Sequence, residues 1–329
     1  MAAPLLGACE EHADEATLDR WLDEASAAEL AAQRAHERED ESAAWTLTVL
    51  GEIGRGAPLV LDHAAFASAS AVTVGATPPL EGAAHASYRG ARIDALISEA
   101  GGALAGVEEV TLVASDGFRA TVAWSDAVRT PILLATHRND ERLRRESGGP
   151  LLAVFPLDEH PDLLTRYTES WWVYYVTHLL VGTPSPRLRV AERELDAAAL
   201  AALPETELVA SVGYRVGWPS EPTRLLGPSL AALLDAAGAS LPEGGRVRVR
   251  TLAQITQGDD RPTFVSASEV QSGRVIVARA YGPDARPIPA RLGGPLVLAF
   301  ADELASEHPE HDWLTFVTEL AVEMSEPRP

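Results

Sequence analysis

Tyr88-Arg-Gly-Ala-Arg-Ile-Asp-Ala-Leu-Ile-Ser-Glu-Ala-Gly101 is echoed later in the chain by Leu225-Leu-Gly-Pro-Ser-Leu-Ala-Ala-Leu-Leu-Asp-Ala-Ala-Gly238. Gly90 and Gly227, Ile93 and Leu230, Leu96 and Leu233, and Gly101 and Gly238 are each 137 positions apart. Three more echoes follow in the same order. Gly148-Gly-Pro-Leu151 returns as Gly293-Gly-Pro-Leu296, and Glu159-His-Pro161 as Glu307-His-Pro309. Trp172, Tyr175, Val176-Thr177 and Val181 return as Trp313, Phe316, Val317-Thr318 and Val322. A period near 140 residues is too long for a solenoid unit and suits a domain. The expected organisation is a leader and acidic helical tether over 1–43, one domain over 44–183 and a drifted second copy over 184–329.

The 329 residues suffice for two domains of ordinary size, and 46% hydrophobic content suffices for two cores. The net charge is -21, from 48 acidic and 27 basic residues. Such a balance excludes a nucleic-acid binder, which needs a basic face against phosphates. No apolar run approaches the roughly 18 residues of a membrane-spanning helix. Every basic residue is Arg and none is Lys, which excludes Schiff-base catalysis and a lysine-bearing phosphate loop.

Cys9 is the single cysteine, so neither an intrachain disulfide nor a cysteine-rich metal site can form. Leu6-Gly-Ala-Cys9 has the small residues that precede Cys at a bacterial lipoprotein processing site. The expectation is a lipid anchor on Cys9 and a place in the cell envelope. Residues 1–8 carry no basic residue, as a leader would. The alternative is a plain terminal thiol on a cytoplasmic protein.

Residues 10–43 read as a charged helix, with Leu18, Trp21, Leu22 and Ala25 in a partial 3.6-residue period. Strands are expected at Trp45–Leu50, Leu59–Leu61, Ala71–Val74, Val110–Val113, Arg119–Trp124 and Leu151–Phe155, with a strand pair in Trp171–Val181. Ile132–Thr136 reads as a strand or short helix. A helix is expected over Arg92–Ala100, stopped by Gly101-Gly102, and a tight turn at Ser115-Asp-Gly117. Past the linker Thr183-Pro-Ser-Pro186, the second half offers strands at Leu188–Val190, Leu208–Val212, Arg246–Arg250, Arg274–Ala280 and Leu296–Phe300. Its helices are expected at Ala197–Leu203 and Leu230–Ala237. The outcome is a mixed α+β fold, repeated.

In order, Tyr88-Arg-Gly90, Ser115-Asp-Gly-Phe118, Leu133-Leu-Ala135, Gly148-Gly-Pro-Leu151 with Val154-Phe-Pro156, and Trp172-Val-Tyr-Tyr-Val176 make residues 45–182 resemble a known domain. It is the molybdopterin-binding domain of the sulfite oxidase family, in the branch with periplasmic methionine-sulfoxide reductases. The second half resembles it more faintly, through Gly227, Gly293-Gly-Pro-Leu296 and Trp313. The resemblance implies molybdenum on a pterin dithiolene, with one protein thiolate as its soft ligand. In the family that cysteine follows a strand, roughly a dozen residues before the aromatic-x-Gly step. Here that count reaches Gly75-Ala76, where there is no Cys, and Val209-Ala-Ser-Val212 of the second half has none either.

The resemblance implies a candidate cofactor pocket of Ala76, His85, Asp116, Phe118 and Arg119. With the thiolate missing, no cofactor and no metal are expected, and molybdopterin bound without a Cys ligand is the alternative. No His-x-x-x-His, Gly-x-Ser-x-Gly, phosphate-loop or dinucleotide pattern occurs, and His308 with His311 reads as a loop pair. Asp116-Gly117 is first of all a turn, and the aromatic run Trp171–Tyr175 mostly core. Two functions remain. One is a non-catalytic binding or scaffolding protein on the molybdopterin oxidoreductase fold, whose protein partner or small ligand the sequence does not name. The other is a molybdopterin-dependent oxidoreductase.

Overall fold

The computed structural model describes residues 45–54, 57–69, 71–78, 83–101, 106–167, 171–211, 217–242, 244–252, 263–302, 304 and 313–324. The expected tether helix, Cys9, Glu307-His-Pro309 and His311 lie outside them. Residues 44–329 form one compact unit, within which each half builds its own sheets. The expected α+β class holds.

In the N-terminal half the strands are β1 (Thr46–Gly51), β2 (Leu59–Asp62), β3 (Ala71–Ala76), β4 (Ala86–Arg92), β5 (Glu109–Ala114), β6 (Arg119–Ala123), β7 (Leu133–Arg138), β8 (Glu141–Arg142), β9 (Leu152–Val154) and β10 (Val176–Val181). Three short helices intervene: α1 (His63–Ser68), α2 (Ile93–Glu99) and α3 (Trp124–Arg129). One sheet runs β2-β1-β10-β5-β6, and β3-β4-β7-β8, with β9 on β7, forms the other. The last strand, β10, lies at the centre of the first sheet, parallel to β1 and antiparallel to β5. All six of its residues are buried, which explains why it is an unbroken β-branched and leucine run with no alternation. Strand β1, nearer the edge, alternates instead, with Leu47 and Val49 inward.

In the C-terminal half β11 (Arg187–Val190), β12 (Arg193–Asp196), β13 (Thr206–Ala210), β14 (Thr223–Gly227), β15 (Gly245–Thr251), β16 (Thr263–Ser266), β17 (Val275–Ala278), β18 (Ala280–Tyr281), β19 (Arg286–Pro287), β20 (Val297–Phe300) and β21 (Val317–Met324) accompany α4 (Ala197–Ala201), α5 (Leu230–Ala237) and α6 (Ala267–Ser272). Its larger sheet runs β12-β11-β21-β15-β16, and the last strand is again central, parallel to β11 and antiparallel to β15. Val247 and Val249 of β15 point to the core while the intervening arginines face outward. Asp62 and Asp196 cap α1 and α4 alike, each accepting an amide hydrogen bond at 2.8 Å from three residues on.

Two glycines show why the quoted stretch is fixed. A Cβ on Gly90 would lie 1.9 Å from the Leu134 carbonyl oxygen, and one on Gly227 would lie 2.0 Å from that of Val277. Only glycine lets these backbones approach so closely. Tyr175 and Phe316 also match, at φ +56° and +57°, each donating its amide to Gly148 or Gly293.

That conformation corrects the expected strand pair over Trp171–Val181. Only Val176–Val181 is a strand. Trp172 and Val173 are buried as β-formers would be, but the left-handed Tyr175 turns the chain before the ladder begins. Arg119–Trp124 stops one residue early because Trp124 opens α3. Residues 132–136 resolve to strand β7.

His178 sits in the central strand, 2% exposed, with Nδ1 2.9 Å from the Thr177 hydroxyl. Burial pushes its pKa down to about 4. The unfolded chain, near the ordinary 6.5, therefore binds a proton that the native state refuses between those values. Stability contributed by neutral His178 is full above pH 6.5 and is lost as pH falls toward 4, amounting to about 3 kcal/mol. Denaturant titrations at pH 7 and pH 4.5 should show this loss in the wild type and a clearly smaller one in His178→Asn. Equal losses in both proteins would refute the assignment.

Candidate functional site

The five residues singled out from the sequence fall in two places. Ala76 ends β3 with its side chain fully buried in the core. His85 lies just before β4 and closes over that strand end. Its Nδ1 is 3.1 Å from Asp158 Oδ2, which also accepts from the Thr77 hydroxyl at 2.7 Å. The His85 ring lies so close over Gly75 that a Cβ there would be 2.5 Å from Nε2. Thr77 first, outweighing the cost of desolvation, and then His85 hold the Asp158 carboxyl below its ordinary value. At the place where the resemblance calls for a thiolate, the chain offers a methyl group, a hydroxyl, an imidazole and a carboxylate. The last three bond to one another. This hard oxygen and nitrogen set does not suit a metal site that asks for soft sulfur. Among the described residues, no three or more His, Cys, Asp or Glu side chains gather as a metal site.

Asp116, Phe118 and Arg119 belong to the β5–β6 hairpin. Asp116 accepts the Phe118 amide at 2.9 Å, and Gly117 takes φ +82°, so the Ser115-Asp-Gly motif acts as a turn. The turn leaves Phe118 39% exposed. Phe118 and Arg119 then line a cleft of 510 Å³ between the halves, with Glu108, Trp171, Gly217 and Leu292. Arg119 Nε donates to the Arg291 carbonyl at 2.9 Å, and the Arg291 guanidinium meets Glu109 at 3.2 Å. The Ala290 amide donates to the Thr183 hydroxyl at 3.0 Å. Val113, Leu180, Ala290 and Phe316 form a small apolar cluster across the same junction. Ala76 and His85 are not among the lining residues of this cleft.

The cleft wall has its own support. Trp171 donates its indole N–H to the Thr121 carbonyl at 2.9 Å and packs on Tyr167, ring centroids 5.8 Å apart. The Tyr167 hydroxyl accepts the Ala123 amide and donates to the buried Asp126 carboxylate at 2.7 Å. Asp126 also takes two bonds from Arg166, at 2.9 and 3.0 Å, and one from Arg129. Burial alone would raise the Asp126 pKa, but bonds from Tyr167 and Arg166 outweigh it and the net shift is downward. Burial, then the bond to Asp126, pushes Tyr167 up to about 12, so it stays a donor. No motif announces this network, because its members lie on α3 and on the turn that follows Pro161.

Residues 35–158 match the oxidoreductase molybdopterin binding domain family. No curated protein sequence matches the chain. Among solved structures it is similar to the sulfane dehydrogenase SoxCD from Paracoccus pantotrophus, at 16% identity and a TM-score of 0.33. That match covers 67% of this chain and 58% of the other, so the chain spans less than two thirds of it. Among the described residues no helix is long and apolar enough to cross a membrane.

Asp126→Asn leaves Arg166 and Tyr167 facing a group that cannot accept their bonds as an anion does. The expected cost is about 2 kcal/mol, because Asp126 is buried but the arginines that pair with it are about half exposed to water. Trp171 emission should shift to the red as its support loosens. Chemical denaturation and fluorescence check this, and a loss below about 1 kcal/mol would show the network to be dispensable.

Proposed function

We propose that the chain is a binding protein made of two copies of the molybdopterin-binding fold, working without molybdenum catalysis. Its ligand site is the cleft between the halves. This reading is supported by the end of β3, where counting back from Tyr88 reaches Gly75-Ala76 with no Cys, and where Thr77, His85 and Asp158 bond to one another beside the strand. Without a protein sulfur the metal loses the ligand that the family's redox chemistry relies on, and the protein contributes only position and electrostatics.

Two copies are supported by the shared sheet order with a central last strand, by the close approaches at Gly90 and Gly227, and by the left-handed Tyr175 and Phe316. The proposed boundaries are 44–183 and 184–329. The cleft supports the binding role. Phe118, Trp171 and Leu292 offer it apolar and aromatic surface, and Glu108 sets a carboxylate at its edge. An apolar hollow with few polar groups suits a small ligand with a ring or hydrocarbon body.

A second reading rests on the retained Gly148-Gly-Pro-Leu151 and Ser115–Phe118 segments: a molybdopterin oxidoreductase lacking the Cys ligand. Metal and pterin analysis of protein made in a molybdenum-replete host separates the two. Far less than one molybdenum per chain, with no released pterin, is expected. A ratio near one, with matching pterin, would overturn the binding-protein reading and leave the oxidoreductase.

A further inference from the structure

A second hollow, of 370 Å³, lies on the N-terminal half, away from both places described above. Its polar lining is almost wholly cationic or imidazole: His63, Arg89, His137 and Arg142, with Thr136 beside them. In a chain of net charge -21 this concentration calls for a cause.

The sheet register gives the geometry. Arg89 of β4 pairs with His137 of β7, and His137 pairs with Arg142 of β8. Directly opposed residues on neighbouring strands point to one face, with Cβ atoms about 5 Å apart. Arg89, His137 and Arg142 thus make one row across three strands. A β-bulge produces this row. From Arg92 to Gly90 the strands pair in step, with Gly90 opposite Ala135, and the register then shifts so that Arg89 faces His137 instead of Thr136. Bulges re-aim side chains in this way beside functional sites.

Arg89 and Arg142 flank His137 on one face, two cations separated by a single strand, and they repel each other unless an anion lies between them. Neither Arg89 nor Arg142 has an ion pair with any described carboxylate, whereas Arg92, Arg129 and Arg166 of the same half all do. The His137 imidazole is held below its ordinary value, by burial first, then by Arg89 and Arg142, with His63 adding and Asp140 opposing. It therefore stands as a neutral donor near pH 7, its Nδ1 2.9 Å from the Thr136 hydroxyl. His63, from α1, is fixed edge-on against Trp45 at 5.6 Å. The fold itself does not demand such a row. At the corresponding register of the C-terminal half stand Leu226, Ala280 and Pro287.

We infer that this hollow is a binding site for a small organic molecule ending in a phosphate or similar oxyanion. Arg89 and Arg142 would hold the head through charge-assisted hydrogen bonds, with His137 donating between them. Phe66, Ala69 and Ala71 line the apolar side and suit a hydrocarbon or ring attached to that head. This site shares no lining residue with the cleft and does not include Ala76 or His85.

The test uses the whole chain, with inorganic phosphate and phenyl phosphate as probes in low-chloride buffer. Calorimetry should show saturable binding of about one phenyl phosphate per chain, tighter than inorganic phosphate, with a matching rise in melting temperature. Arg89→Gln/Arg142→Gln should weaken both by at least about tenfold, which is about 1.4 kcal/mol. Without anion that variant should melt at or above the wild type, because it removes two cations that repel each other across one strand. Arg189→Gln, on an exposed position of β11, should bind as the wild type does. No saturable binding by the wild type, or undiminished binding by the double variant, would overturn the site. So would a double variant that melts well below the wild type without anion, because the row would then be structural.

Discussion

Each half of this protein closes by placing its last strand in the middle of its larger sheet. Val176–Val181 slots between β1 and β5, and Val317–Met324 between β11 and β15. Each central strand takes hydrogen bonds on both sides; β10 is also buried along its whole length, and β21 buries Val317 and Leu320, so much of the favourable burial waits for them. The site geometry depends on this insertion. Tyr175, turned left-handed just before β10, donates to Gly148 and accepts from Ser115. It thereby links the Gly-Gly-Pro segment to the turn that presents Phe118 and Arg119. Phe316 links Gly293 to Leu252 in the same way.

The two halves then diverge where chemistry could reside. The β3 end, where the resemblance looks for a metal-binding sulfur, is closed by polar side chains that satisfy one another. Two of the hollows on the described surface of the N-terminal half bear on function. One is shared with the C-terminal half and lined by aromatic rings. The other carries a row of cations whose C-terminal register counterpart is apolar. One scaffold can offer such different hollows, since sites are grafted on a fold and do not follow from it.

Much of the scaffold was legible in the sequence because burial writes a period into it. The alternation of β1 and β15, the helix over Ile93–Glu99 with glycine past its end, and the Ser115-Asp-Gly turn all follow from local rules. The aromatic run at Trp171 misled, because its burial is real but Tyr175 adopts a left-handed conformation set by tertiary contacts. The sites were less legible. Phe118 and Arg119 could be found from their turn, yet their partner Arg291 is 172 positions from Arg119. The Arg89, His137 and Arg142 row exists only because a bulge shifts the register by one residue, which no periodicity announces. Counting back from Tyr88 leads to Gly75-Ala76, and His85 stands three residues before that tyrosine. The structure adds the Asp158 carboxylate that joins His85 to Thr77, 73 positions away from that histidine.

Native-state hydrogen exchange, resolved by residue, tests the central placement of the last strands most directly. If these strands complete each half, the amides of Leu179, Leu180 and Val181 and of Leu320 and Ala321 should exchange only by the largest unfolding of their half. Amides of the edge strands β2 and β12 should exchange far sooner. Fast exchange at Leu179–Val181, or protection no greater than at Val60 and Leu195, would contradict the account.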